Sequence, residues 1–492
     1  MKRILILGGI FLIMSCNNST LNTTSVSKLQ ALMAEKSIKM PNENNPIMVH
    51  KFGADPAILI YKDTVYVYAT NDMQQFEETE GKEENHYNKI NSLTVFSSKD
   101  LVNWTDCGVV PVAGKNGGAG DAKWATNSWA PAIAYKTIDG KDKFFLYFAD
   151  SGNGIGVVVG DSPVGPFVDP IKKPLISRDM PNCGNINWLF DPAVMVDDDG
   201  KGYLVFGGGH DPEKYEHPKT SRVVALADDM ISIVGTPETL DPPFLFEDSG
   251  INKIGNKYYY SYCSNFADRS KSNDKDKMPT GVICYMTSDS PLGPYTYQGY
   301  TLENPGTYYG TAGNNHHWIF QFKNKWYVAY HAGTAERVVG LEKGGYRSLF
   351  INDFEMNADG SFPIQKAGKA GVQQVGSFNP YEVVPAATFH SSRNAVVTEK
   401  QTIVSIKEGA YLCIKGVDFS KGAKEVDLTV VPGAKGTVKI CIDHFGGNGT
   451  VLGEAAVGNK EAVTAKLNTA TGKHDVYIVM SEGVELINWQ IK

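Results

Sequence analysis

The chain has 492 residues, 21% of them charged, and a formal net charge of -7. That balance excludes a basic nucleic-acid surface and a disordered acidic tail, and it suits a neutral substrate better than a phosphate backbone. Hydrophobic residues at 42%, with 50 Gly, 22 Phe and 24 Tyr in short alternating runs, point to an all-β protein with many turns.

The N-terminus, "MKRILILGGIFLIMSC", starts with basic Lys2 and Arg3 and continues in an apolar stretch too short to span a bilayer. It reads as an export signal over residues 1–16. Its end resembles a bacterial lipobox, which implies that Cys16 carries lipid and becomes the new N-terminus. The protein is then expected to be exported and lipid-anchored to the bacterial cell envelope, with polar residues 17–40 as a tether. The other cysteines (Cys107, Cys183, Cys263, Cys284, Cys413 and Cys441) include no CxxC pair, so a metal cluster is not expected and their spacing assigns no disulfide.

From residue 41 onward a pattern repeats. "ADPAILIYKDTVYVYAT" (54–70), "WAPAIAYKTIDGKDKFFLYFAD" (129–150), "FDPAVMVDDDGKGYLVFGG" (190–208), "FEDSGINKIGNKYYYSYC" (246–263) and "NNHHWIFQFKNKWYVAYHA" (314–332) share one grammar. Each has a polar or aromatic lead, an apolar strand, a turn, and an aromatic strand, which is the signature of a hairpin. Hairpins recurring about every 55 to 75 residues, with strand-like material between them, predict the four-stranded sheets of a β-propeller. The count is five blades, over residues 41–375.

In a propeller, the innermost strand of each blade starts at the same end of the central channel. The leads Asp55, Trp129, Asp191, Glu247 and His316, with His317 beside the last, are therefore expected around one axial pocket. Carboxylates crowded into a partly desolvated site cannot all ionise freely, so acid and base forms coexist near neutral pH. Cleavage of a glycosidic bond needs that combination. Trp129 and Phe190 offer faces to a sugar ring, and Arg347 in "GGYRSLF" offers charged donors. Asp248, adjacent to Glu247, competes with it for the acid role on sequence grounds.

The stretches "GADPAILIYKDTVYVYATND", "NWLFDPAVMVDDDGKGYL", "FLFEDSGINK" and "GNNHHWIFQFKNKWYVAYH" make the chain resemble glycoside hydrolase family 43, and within it the enzymes that remove arabinofuranosyl branches from arabinoxylan. The resemblance implies an inverting mechanism with Asp55 as general base, Glu247 as general acid, and Asp191 orienting and tuning that acid. It also implies a calcium ion in the channel with His316 or His317 close to it, His316 being the expected metal residue and His317 the expected substrate-binding one; the alternative for this pair is pocket lining with hydrogen bonds to the acids. β-Xylosidase or arabinanase activity fits the same three acids. A noncatalytic polysaccharide-binding lipoprotein is a further alternative, against which retention of all three acids argues. No oligomer signature is present, and a monomer is expected.

Beyond residue 380 the aromatic rhythm stops, and short strands such as "EVDLTVV", "TVKICID" and "HDVYIVM" predict a β-sandwich of jelly-roll type to residue 492. This part resembles carbohydrate-binding module family 6. Pro385, Ala387 and Ile487 stand where that family has the acids of a structural calcium site, which implies that this ion is missing. Tyr411 stands where a tryptophan is frequent, and Trp489 fits core or cleft equally. Sugar binding and simple buttressing of the propeller both remain open.

Overall fold

The computed structural model describes residues 26–40, 42–272, 278–310, 313–341, 344–446 and 449–492. The signal segment and Cys16 lie outside these residues. The five hairpins head five antiparallel sheets. Blade 1 holds β1 (Ala54–Tyr61), β2 (Thr64–Thr70), β3 (Ser92–Ser98) and β4 (Trp104–Pro111); blade 2 holds β5 (Trp129–Ile138), β6 (Lys141–Ala149), β7 (Gly154–Gly160) and β8 (Phe167–Val168), with short β9 (Ile176–Ser177) also on β7. Blade 3 is β10 (Ala193–Val196), β11 (Gly202–Phe206), β12 (Ser221–Leu226) and β13 (Ile233–Leu240). Blade 4 is β14 (Leu245–Ile254), β15 (Lys257–Ser264), β16 (Ile283–Ser288) and β17 (Thr296–Leu302), and blade 5 is β18 (His317–Phe322), β19 (Lys325–Ala332) and β20 (Ser348–Phe354).

The inner strands β1, β5, β10, β14 and β18 contact one another in a closed ring. Blade 5 has three strands, and the segment before β1 seals its outer edge. Ile47 N–H donates to Leu349 O, Gly53 N–H to Arg347 O, and the Asn45 side chain satisfies both the N–H and the C=O of Ile351. These bonds give an otherwise open edge its partners. Half-buried Trp318 plugs one end of the channel and packs against the cores of several blades.

The inner strands explain the repeated Asp-Pro-Ala. Pairing of β1 with β2 jumps from Ala54 to Ala57, and pairing of β5 with β6 jumps from Trp129 to Ala132, so two residues bulge out at each strand mouth. In blade 4 the jump runs from Glu247 to Gly250. The first bulged residue has positive φ each time: 53° at Asp55, 37° at Ala130, 66° at Asp248, and 49° at Asp191 just ahead of β10. Such a bulge re-aims one side chain toward the axis. A proline suits the next position because it brings no N–H that the bulge would leave unpaired.

Two sequence boundaries move. Residues 28–36, read above as part of a polar tether, form helix α1 (Lys28–Lys36), closed by a Ser27/Gln30 capping box. Its Leu29 and Met33 enter an apolar cluster with Phe52, Met73, Phe76, Ala335, Val339 and Tyr346. The module boundary is also shared. β21 (Val384–Pro385) pairs with the sandwich, but β22 (Thr388–Phe389) extends the sheet of blade 1 by pairing with β4.

The sandwich proper packs one sheet containing β24 (Ala395–Val397), β25 (Ile403–Ser405), β27 (Glu425–Val430), β30 (Ala462–Lys466) and β32 (Glu485–Ile491) on a second. The second holds β23 (Ser391–Arg393), β26 (Ala410–Asp418), β28 (Gly436–Ile442), β29 (Thr450–Val457) and β31 (Lys473–Met480). Trp489 is a core residue, 1% exposed and stacked near Phe378. Tyr411 is also buried, and Phe445 covers its ring at 4.3 Å between centroids. Cysteines 107, 183, 263, 284, 413 and 441 are all free thiols.

Candidate active site

Asp55, Asp191 and Glu247 converge at one end of the channel and are all buried. Asp55 Oδ1 accepts from Arg347 Nη1 at 2.9 Å and lies 3.2 Å from His331 Nδ1, while Oδ2 accepts from Thr70 Oγ1 at 2.7 Å. Burial alone would raise its pKa, but the Arg347 guanidinium, His316 and His331 outweigh that and hold the carboxyl well below the usual carboxylate range. Asp55 is therefore ionised.

Glu247 is in the opposite state. Burial first, then the charges of Asp191, Asp55 and Asp248, push its carboxyl well above the usual range. Its Oε1 is buried with no hydrogen-bond partner among the described residues. An orphaned carboxyl oxygen of that kind is costly unless a ligand completes it. Burial, and next the charge of Asp55, also raise Asp191, whose Oδ2 accepts the Asp248 N–H at 3.0 Å. Asp191 and Glu247 thus titrate as a pair. Gly208 makes the close approach of blades 3 and 4 possible, because a Cβ there would lie 2.6 Å from Phe246 O and 3.2 Å from Glu247 Cα.

The shared positive φ shows that Asp248, not Glu247, is the blade-4 counterpart of Asp55 and Asp191. Glu247 stands one residue earlier, in line with Trp129 and Phe190. Asp248 is fully buried and turned inward onto two imidazoles: Oδ1 is 3.1 Å from His316 Nε2, and Oδ2 is 2.5 Å from His317 Nδ1. It does not line the cleft.

His317 is likewise corrected. It is fully buried, with Nε2 2.8 Å from Ser261 Oγ, so it lies beneath the site and lines no substrate pocket. His316 has Nδ1 3.5 Å from Asp55 Oδ1 and 3.8 Å from Asp191 Oδ2, so both its nitrogens face carboxylates. Calcium takes six to eight oxygen ligands, and among the described residues no three His, Cys, Asp or Glu converge as a metal-ligating set. These side chains do not fit a calcium ion held by the chain itself. His317 is hydrogen-bonded to Asp248, and His316 Nε2 lies 3.1 Å from the other oxygen of the same carboxylate.

A cleft of about 710 Å³ opens above the acids, with Glu247, Arg347, His331, Tyr87, Phe246 and Phe266 in its walls. Trp129 and Phe190, half-buried, each stand one ring back from it. Trp129 donates its indole N–H to Tyr87 O at 3.0 Å, and Phe190 packs on Trp188, which packs edge-on against Phe246. Trp188 and Phe266 remain 37% and 44% exposed, which leaves an aromatic rim free for a ligand. Asp72, Tyr87, His331 and this rim were missed in the sequence because they sit at a helix start, on loops and at a strand end outside the repeated strand mouths.

Residues 43–362 match the model of glycosyl hydrolases family 43. The chain belongs to that family. An arabinoxylan arabinofuranohydrolase of Paenibacillus polymyxa is 43% identical to this family 43 chain, over 90% of it and 72% of the relative. One from Bacillus subtilis is 44% identical over 89% of both. The solved structure of a Bacillus subtilis family 43 arabinoxylan arabinofuranohydrolase in complex with cellotetraose superposes with a TM-score of 0.88 at 41% identity, covering 94% of this chain and 99% of that one. The match therefore spans propeller and sandwich together, and the protein is a glycoside hydrolase.

Proposed function

We propose that this family 43 enzyme removes terminal α-L-arabinofuranosyl branches from arabinoxylan with inversion. One observation carries the chemistry: two carboxyl groups of a single buried site are driven to opposite protonation states, Asp55 by Arg347 and Glu247 by burial and neighbouring anions. Glu247 protonates the glycosidic oxygen, Asp55 takes a proton from the attacking water, and Asp191 keeps the proton on Glu247. That its relatives include arabinoxylan arabinofuranohydrolases supports arabinoxylan as substrate. The rim of Trp188, Phe246 and Phe266 supports it too, since it offers ring faces to the xylose units flanking the branch.

The test compares arabinoxylan, an aryl α-L-arabinofuranoside and an aryl β-xyloside, with NMR of the first-formed sugar. Arabinose released as the β anomer is expected from the first two substrates, with little xylose from the third. An α anomer would make Asp55 a nucleophile, and preference for the xyloside would replace the substrate assignment.

The lipobox-like end of the signal segment supports a lipid anchor at Cys16 and a position on the cell envelope. Among the described residues no helix is long and apolar enough to cross a membrane. Cys16→Ala is expected to move the protein out of the membrane pellet and to abolish labelling by fatty acid. Pelleting that persists with no label in the parent protein would refute the anchor.

A further inference from the structure

Most donors of Arg347 are engaged before it reaches the base. Its Nε and Nη2 fork onto the carboxylate of Asp72 at 3.0 and 2.9 Å, and its backbone N–H donates to Asp72 Oδ2 at 3.1 Å. That leaves Nη1, which meets Asp55 Oδ1 at 2.9 Å. Asp72 is fully buried in the first turn of helix α2 (Asp72–Glu78), and the Tyr87 ring covers the guanidinium at 4.7 Å. A planar two-pronged contact fixes direction, whereas a single donor does not. Asp72 therefore sets where the Arg347 fork points.

The charges argue the same way. Asp55, Arg347 and Asp72 form a buried row of minus, plus and minus, which leaves one net negative charge instead of a neutral pair. Without the Asp72 charge, the whole guanidinium charge would act on Asp55 in surroundings where Coulomb interactions are strong. Asp55 would then hold a proton taken from water more weakly, and a weaker base gives less help in the transition state.

We propose that Asp72 is a positioning residue for hydrolysis: it aims the Arg347 guanidinium and takes up part of its charge, so that Asp55 stays oriented and basic enough to activate water. The proposal rests on the reading of Asp55 as the base. It also gives α1 a place in the enzyme. The cluster in which Leu29 and Met33 sit contains Met73 and Tyr346, the neighbours in sequence of Asp72 and Arg347. The helix thus braces both ends of the fork from behind.

The experiment is a double-variant cycle on an aryl α-L-arabinofuranoside, with azide added as a nucleophile that needs no deprotonation. Asp72→Asn keeps the shape and is expected to lower kcat by about 10- to 100-fold, within the range that a positioned base supplies, with KM changed by less than about twofold. In the Asp55→Ala background with azide, adding Asp72→Asn is expected to change the rate by less than about twofold, since the base it serves is gone. An equal loss in both backgrounds, or a loss confined to KM, would overturn the proposal while leaving the base assignment standing. Undiminished activity of Asp55→Ala without azide would overturn both. If Asp72→Asn does not fold, Arg347→Lys goes through the same cycle, because lysine keeps the charge and loses the fork, and the same outcomes decide.

Discussion

Replacing Glu247 with alanine is expected to lower arabinose release from arabinoxylan by about a thousandfold, and hydrolysis of an activated aryl arabinofuranoside by only about tenfold. The difference lies in the leaving group. A sugar hydroxyl is a poor leaving group unless protonated as the bond breaks, whereas an activated phenolate departs almost unaided. Glu247 is the group placed to donate that proton, being held protonated with one oxygen unpartnered. Asp55→Ala removes help that every substrate needs, and its loss is expected to be about a thousandfold on both, with partial recovery in azide. The backbone accepts the change, since Ala130 holds the equivalent position of blade 2 with φ of 37°. The decisive quantity is the ratio of the two activities in each variant. If Asp55→Ala and Glu247→Ala gave the same ratio, the division of labour between base and acid would fall even though the family membership stands.

What the sequence displayed of this site follows from how a propeller is built. Strand-mouth residues recur once per blade, so Asp55 and Asp191 announced themselves through the repeated Asp-Pro-Ala, and the five hairpins gave the blades. The same logic misled in blade 4. The repeat there reads Glu-Asp-Ser-Gly, and only the positive φ at Asp248 and the pairing jump from Glu247 to Gly250 reveal which acid is in register. Neighbours in an extended chain face opposite ways, so a frame error of one residue exchanges a cleft acid for a buried support. Asp72 and His331 were invisible for another reason. They reach the base from the head of α2 and the end of β19, and partners that meet across blade 1 and blade 5 leave no local pattern. Helix α1 did leave one. Leu29 and Met33 are four residues apart, the spacing of a single helix face, but lie in a segment whose polar composition suggested a tether. The strand β22 shows the same limit, because pairing with blade 1 is a tertiary choice that two residues cannot encode by themselves.

Asp191→Asn is expected to lower turnover on arabinoxylan by about a hundredfold and to move the alkaline edge of the rate profile to lower pH. The sign follows from which oxygen holds the shared proton. Asp191 Oδ2 accepts the Asp248 N–H at 3.0 Å, so a donor stands ready for its charge. Glu247 Oε1 has no such donor, which leaves the proton on Glu247 and the charge on Asp191. Activity requires protonated Glu247 and is lost as pH rises through its raised pKa. Asparagine keeps the shape and tolerates the positive φ of 49° at position 191, but it removes the anion that raises Glu247 most. Burial, Asp55 and Asp248 still raise the Glu247 carboxyl, and Arg347 still pulls it down, so the pKa falls part of the way. The edge moves to lower pH, and the loss is expected to be smaller on the activated aryl arabinofuranoside, where the proton matters less. An alkaline edge that stayed in place, or moved up, would show that Asp191 acts on the substrate itself and not through the acid.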